Sequence, residues 1–210
     1  MALFQKKPQS TDQIPLYTIG ANKTALIIGL GNPEAKYDNT RHNIGFAALD
    51  YFALKNDFPG WINKKDLKCE LSVHTLGDTR VILCKPTTYM NSSGEAAQAV
   101  QHFYKVYNQK TLAVYDELAL KFGQLRARMG GSDAGHNGVK SLTQHLGEDY
   151  SRLRIGVSNE ISEKADAADF VLGKFTKDEK EKMDPILREA NSLINDFIFG
   201  GLPHETRNAL

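Results

Sequence analysis

Short apolar runs that end in polar or glycine-rich loops alternate along this chain with segments of helical period. This alternation constrains the fold most. "TALIIGLGNP" is continuously apolar from Ala25 to Ile28 and stops at a glycine turn, as a strand buried on both faces does. After it, Ile44, Ala47, Ala48, Tyr51 and Phe52 recur at i, i+3, i+4, i+7 and i+8, which predicts a helix, with Thr40 as its N-cap. "KCELSVHTLGDTRVILCKP" reads as two strands joined at Gly77-Asp78. A helix is expected from Ser92, where Ser92 and Glu95 have capping-box spacing and Ala96, Ala99, Val100, Phe103 and Tyr107 form the stripe. "TLAVYDE", "QLRARM" and "RLRIGV" are strands, "GVKSLTQHL" is a helix, and the tail from Thr176 is helical, with a second capping box to Glu179 and a restart or bend at Asp184-Pro185. Such an order predicts an α/β protein in which helices cover both faces of a mixed sheet.

With 210 residues, 41% hydrophobic and 24% charged, the chain is expected to form one domain with a real core. Residues 1–22 are polar, carry Pro8 and Pro15 and read as a flexible extension, so residues 23–210 are taken as the domain. "MALFQKKPQ" has no apolar signal core and no run approaches the roughly 18 apolar residues of a membrane span, so a cytoplasmic protein without a membrane partner is expected. Cys69 and Cys84 lie in strand-like segments without C-x-x-C spacing; neither disulfide nor zinc is expected. The net charge is only +1. Between Lys121 and Arg154, however, six basic residues (Lys121, Arg126, Arg128, Lys140, Arg152, Arg154) face three acidic ones (Asp133, Glu148, Asp149), a local excess suited to phosphate.

Polar clusters sit at the ends of these strands or the starts of these helices, where open α/β folds place ligands: Asn32 in "GLGNP", His42 in "TRHN", Asn91 in "KPTTYMNSSGE", Asp116 in "YDEL" and Asn137 in "GGSDAGHNG". The glycine turn lacks the third glycine of G-x-G-x-x-G, and no Walker pattern exists, which argues against a nucleotide site. His42 lies about 200° round the helix from Ile44, away from the core stripe. A histidine at a helix start and an aspartate at a strand end suit a general base and its orienter. No serine or cysteine occupies a nucleophile elbow, which leaves water as the nucleophile. Three asparagines could hold a carbonyl or an oxyanion, whereas each taken alone reads first as a loop cap.

Taken in order, "GLGNPEAKYDNTRHNIGF", "KPTTYMNSSGEA", "YDEL", "GGSDAGHNGVKSL", "RLRIGV" and "FVLGKF" closely resemble the bacterial-type peptidyl-tRNA hydrolase family, from Thr24 to the C-terminal helix. The resemblance implies a single-domain αβα sandwich with a twisted mixed sheet, monomeric and without metal or other cofactor. The implied reaction is hydrolysis of the ester joining a peptide to the 3′ ribose of tRNA, which frees tRNA from prematurely released peptidyl-tRNA. It implies that His42 and Asp116 are catalytic, as are Asn32 and Asn137, and that Tyr37, Tyr89, Met90, Asn91 and Asn137 bind substrate. Arg126, Arg128 and Arg154 match positions where the family places residues that grip tRNA phosphate. The chain departs from the family pattern in two places, the residue after D-E-L and the loop GGSDAGHNG, in which Ser132 and Ala134 stand for glycines. Asp133 stands for a histidine, where a carboxylate repels tRNA or stiffens the rim, and Ala119 stands where a second acid follows D-E-L. The alternatives are a non-catalytic RNA-binding relative of the same fold and an esterase for small substrates.

Overall fold

The computed structural model describes residues 23–162 and 164–210. The expected extension, residues 1–22, lies outside the described residues. Eight strands form one sheet in the order β2-β3-β4-β1-β5-β7-β6-β8. They are β1 Lys23–Gly29, β2 Ile62–Lys64, β3 Cys69–Leu76, β4 Thr79–Pro86, β5 Thr111–Lys121, β6 Gln124–Met129, β7 Ser151–Ser158 and β8 Thr206–Asn208. The helices are α1 Ile44–Lys55, α2 Ser93–Tyr104, α3 Asn137–Leu146, α4 Ala167–Leu172, α5 Lys177–Glu181 and α6 Met183–Phe199. Strands β4, β1, β5 and β7 run parallel, while β2–β3, β3–β4, β6–β7 and β6–β8 are antiparallel pairs. The expected mixed sheet is therefore present.

The apolar run of β1 explains why the sheet is covered twice. Ala25 and Ile27 point into a core with α1 and α6, whereas Leu26 and Ile28 point into a second core with α2 and α3. Strand β5 repeats the division: Leu112 and Val114 face the first core, Ala113 and Tyr115 the second. Period-two alternation thus sends neighbouring residues into opposite layers. Because the chain runs from β1 towards β4 on one side and from β5 towards β7 on the other, a crevice opens beyond the carboxyl ends of β1 and β5.

Four local expectations need correction. Thr40 makes no capping bond, since its hydroxyl donates to Tyr37 O at 2.7 Å; a 3-10 turn, Arg41–Asn43, precedes α1 instead. The buried face of α1 is Ile44, Gly45, Ala48, Leu49, Phe52 and Ala53, with Tyr51 only half-buried. Ser92 likewise makes no capping bond, and Glu95 pairs with Lys68 at 2.5 Å. Helix α2 ends at Tyr104, where Lys105 turns left-handed (φ 56°), so Tyr107 lies outside it and Phe103 is exposed. The cause is two-sided packing: α2 meets α3 as well as the sheet, with Gly94 N donating to Ser141 Oγ at 3.0 Å, which buries Gly94 and Ala97 rather than Phe103. The second capping box does form, Thr176 and Glu179 bonding reciprocally, and Pro185 sits in the first turn of α6. The short β2, β8 and α4 carry too few residues for a sequence period. Cys69 and Cys84 are buried free thiols, and the bond from Cys69 together with burial pushes the Cys84 thiol well up.

Candidate active site

Where β1 ends, Asn32 is fixed by an exchange of two bonds with Asn43: Asn32 N donates to Asn43 Oδ1 and Asn43 Nδ2 to Asn32 O, both at 2.9 Å. The Asn43 side chain thereby acts as a one-residue strand partner and sets the turn that follows it. Asn32 Oδ1 in turn accepts from Met90 N at 2.9 Å, so the amide is oriented and its Nδ2 remains available. The next link is Gly45. A Cβ there would stand 2.3 Å from Val114 O and 2.6 Å from Leu30 N, so the bare glycine lets α1 press on the ends of β1 and β5. That contact carries His42 to Asp116.

His42 Nδ1 lies 2.9 Å from Asp116 Oδ1, and Asp116 is 3% exposed. A carboxylate only accepts, so Nδ1 carries the proton and the lone pair is on Nε2. Sequence reasoning missed His136, which stands 3.0 Å from the same Oδ1 through Nε2. Its Nδ1 accepts from Gly138 N and Val139 N at 3.1 and 3.3 Å, capping α3. These two bonds fix its tautomer as well, with the proton on Nε2 facing Asp116. The imidazoles of His42 and His136 lie 4.9 Å apart, and Tyr115 meets the His136 ring edge-on at 5.0 Å. Burial raises the Asp116 carboxyl, but the facing His136 and His42 outweigh it and hold the group well below its ordinary value of 3.8.

These groups open onto a cavity of about 560 Å³, lined by Asn32, Tyr37, His42, Tyr89, Met90 and Asn91, by Asp116 and Asn137, and along one side by Asp166, Ala167, Ala168, Val171 and Leu172. All eight residues expected to be catalytic or to touch the peptide thus share one cavity. The α4 side went unforeseen, because no polar motif marks it. Glu117 also lines the cavity; its Oε1 accepts from Ala119 N at 3.0 Å and its Oε2 lies 3.4 Å from Arg154 Nη1. On the rim Tyr89 donates to Glu34.

His42, Asp116 and His136 offer three ligand atoms within 4.8 Å of one another. As a cation site the set is poor, since both nitrogens that face Asp116 carry protons and the second nitrogen of His136 is committed to α3. The donor set suits proton transfer: Asp116 holds the imidazole of His42 with the lone pair of Nε2 free to accept a proton.

The expected arginines lie on one face of β6 and β7, where Arg126 pairs with Arg154 and Arg128 with Arg152. Arg128 is exposed; Arg126 donates from Nε to Thr206 Oγ1 at 2.9 Å, and Arg154 is engaged by Glu117. Arg152 is fully buried over the Tyr150 ring and bonds Ser132 O and Thr143 Oγ1. Of the two readings of Asp133, the stiffened rim has a bond behind it, for Asp133 Oδ1 accepts from Gly135 N at 2.8 Å.

The sequence profile of the peptidyl-tRNA hydrolase family matches residues 26–209. A peptidyl-tRNA hydrolase of Clostridium botulinum (strain Alaska E43 / Type E3) is 41% identical over 174 residues, covering 82% of this chain and 88% of that protein. One of Synechocystis sp. is 43% identical over 180 residues, covering 85% and 90%. The crystal structure of peptidyl-tRNA hydrolase from Acinetobacter baumannii superposes with a TM-score of 0.76 at 31% identity, over 88% of this chain and 92% of that one. A chain matched along this length, with the same fold, belongs to the peptidyl-tRNA hydrolase family.

Proposed function

We infer that the chain hydrolyses the ester between the carbonyl of a peptide and the 3′ ribose of tRNA, with water as nucleophile and His42 as its general base. The observation that carries this reading is the His42–Asp116 bond, buried at the floor of a cavity that also holds Asn32, Asn91 and Asn137. Asp116 keeps Nδ1–H of His42 in place and stabilises the imidazolium formed when Nε2 takes the proton. Amide groups of Asn32 and Asn137 then pair with the attacked carbonyl and with water.

The same asparagines favour a peptidyl over an aminoacyl substrate. A peptide offers an amide to pair with, whereas the free ammonium of an aminoacyl ester loses its hydration there. Arg126 and Arg128 extend the contact to tRNA phosphate, and Arg154 joins them only by loosening its hold on Glu117. Metal is not required, and the protein works as a monomer in the cytoplasm. No helix among the described residues is long and apolar enough to cross a membrane.

The direct test is release of N-acetyl-amino acid from N-acetyl-aminoacyl-tRNA, with and without an excess of uncharged tRNA. Turnover suppressed by uncharged tRNA is expected. Binding of tRNA without turnover indicates a non-catalytic RNA-binding relative; turnover indifferent to tRNA indicates a general esterase.

A further inference from the structure

The residue beside the base, Arg41, has no part in the chemistry above, yet it is 4% exposed. Its Nη2 donates to Glu179 Oε2 at 2.7 Å and its Nη1 to Lys174 O at 3.0 Å. The guanidinium carbon stands 4.3 Å from the centre of the Phe170 ring on α4. Its partner is equally fixed: Glu179 Oε2 also accepts from Thr176 N at 2.8 Å, and Oε1 from Asn159 Nδ2 at 2.7 Å. The backbone adds two bonds between the same segments, Arg41 N to Gly173 O and Phe175 N to Asn39 O, at 3.0 and 3.2 Å. The stretch that follows α4 is therefore tied to the stretch that precedes His42.

Helix α4 has six residues and makes one side of the cavity, through Ala167, Ala168, Val171 and Leu172. So short a helix does not hold its place by its own hydrogen bonds; its position comes from tertiary contacts. A planar guanidinium serves a carboxylate, a carbonyl and an aromatic face at once, which a lysine ammonium does not. Net stabilisation by a buried ion pair is small, whereas the positions it imposes are definite.

Resting on the hydrolase reading above, we propose that Arg41 is a positioning residue for the peptide half of the substrate: it fixes where α4 stands against the cavity and leaves the proton transfer at His42 untouched. The bonds of Arg41 run to the far side of α4 and to α5, and none is made to Asp116, His136 or an asparagine of the site. Substrates with several peptide residues press on α4, while a single small acyl group barely reaches it. Loosening the tether weakens binding equally in ground and transition states, which appears in KM.

The experiment compares Arg41→Lys with wild type on a tripeptidyl-tRNA and on N-formyl-glycyl-tRNA, alongside hydrogen exchange of the backbone. KM for the tripeptidyl substrate is expected to rise about tenfold and that for the formyl-glycyl substrate less than about threefold. The kcat values, the pH profile of kcat and the inhibition constant of uncharged tRNA are expected to stay as in wild type. Exchange in Ala167–Leu172 should quicken while β1 and β5 stay protected. Phe170→Leu, which removes the ring under the guanidinium and keeps apolar bulk, is the second variant and should act in the same sense if Arg41→Lys fails to fold. Equal changes on both substrates, a shifted pH profile, or unaltered exchange in α4 overturn the proposal. Wild-type inactivity on both substrates is a different failure: it overturns the hydrolase reading, and the substrate role of Arg41 with it.

Discussion

Asp116 receives two N–H donors on one oxygen, and the consequences can be measured residue by residue. His42→Ala removes the base and should lower kcat by about 10² to 10⁴-fold with an unchanged circular dichroism spectrum; a rate within tenfold of wild type would exclude the role. Asp116→Asn tests the charge. In the folded protein the carboxyl is held below its ordinary value of 3.8, so its contribution to stability is present above about pH 4 and is lost as pH falls through the folded value. Urea unfolding should show Asp116→Asn weaker than wild type at pH 7, with the gap narrowing progressively as pH falls below about 4. His42 and Asp116 were legible in sequence because a histidine at a helix start and an aspartate at a strand end are chemically matched. His136 was not, although it stands in the quoted loop beside Asn137. Its signal is a ring nitrogen at the N-cap of α3, a place where serine, threonine or aspartate is ordinarily looked for.

Elements whose length lets a period show, α1, α3, β1 and the β3–β4 hairpin, follow from their residue patterns. The capping expected at Thr40 and Ser92 fails because each helix is entered through a 3-10 turn, which moves the first α-helical residue onward. Helix α4 escapes notice for a different reason: six residues give less than two turns, and beyond its Asp166 cap its contacts with Arg41 and the core specify it. At this scale Gly45 is the position most exposed to test. A methyl group there meets backbone, not a flexible side chain, so α1 must lift from β1 and β5. Gly45→Ala should lose about 1–3 kcal/mol in denaturant unfolding and should also lower kcat, since the lift moves His42 from Asp116. An active variant of wild-type stability would show that the fit is looser than described.

Across the whole molecule, the proposed reading divides the work: recognition falls to arginines on β6 and β7, towards one edge of the sheet, and cleavage to His42 beyond the end of β1. Arg128 is the exposed member of the strip, so Arg128→Ala should raise KM for peptidyl-tRNA with kcat nearly constant, and flatten the log–log salt dependence of binding by roughly one unit. A short 3′ fragment should be cleaved equally by both proteins. The net charge of +1 hides the local basic excess between Lys121 and Arg154, and within it the family resemblance, not the charge count, singled out Arg126, Arg128 and Arg154. The cluster of His42, Asp116 and His136 has its own distribution. His42 arrives with the layer that holds α1 and α6, His136 with the layer that holds α2 and α3, and Asp116 belongs to the sheet between them. Enzymatic turnover is therefore a reporter of simultaneous docking. As urea rises, activity vanishes when either layer first detaches, so its midpoint falls at or below that of fluorescence from Trp61 or of helical circular dichroism, and never above both.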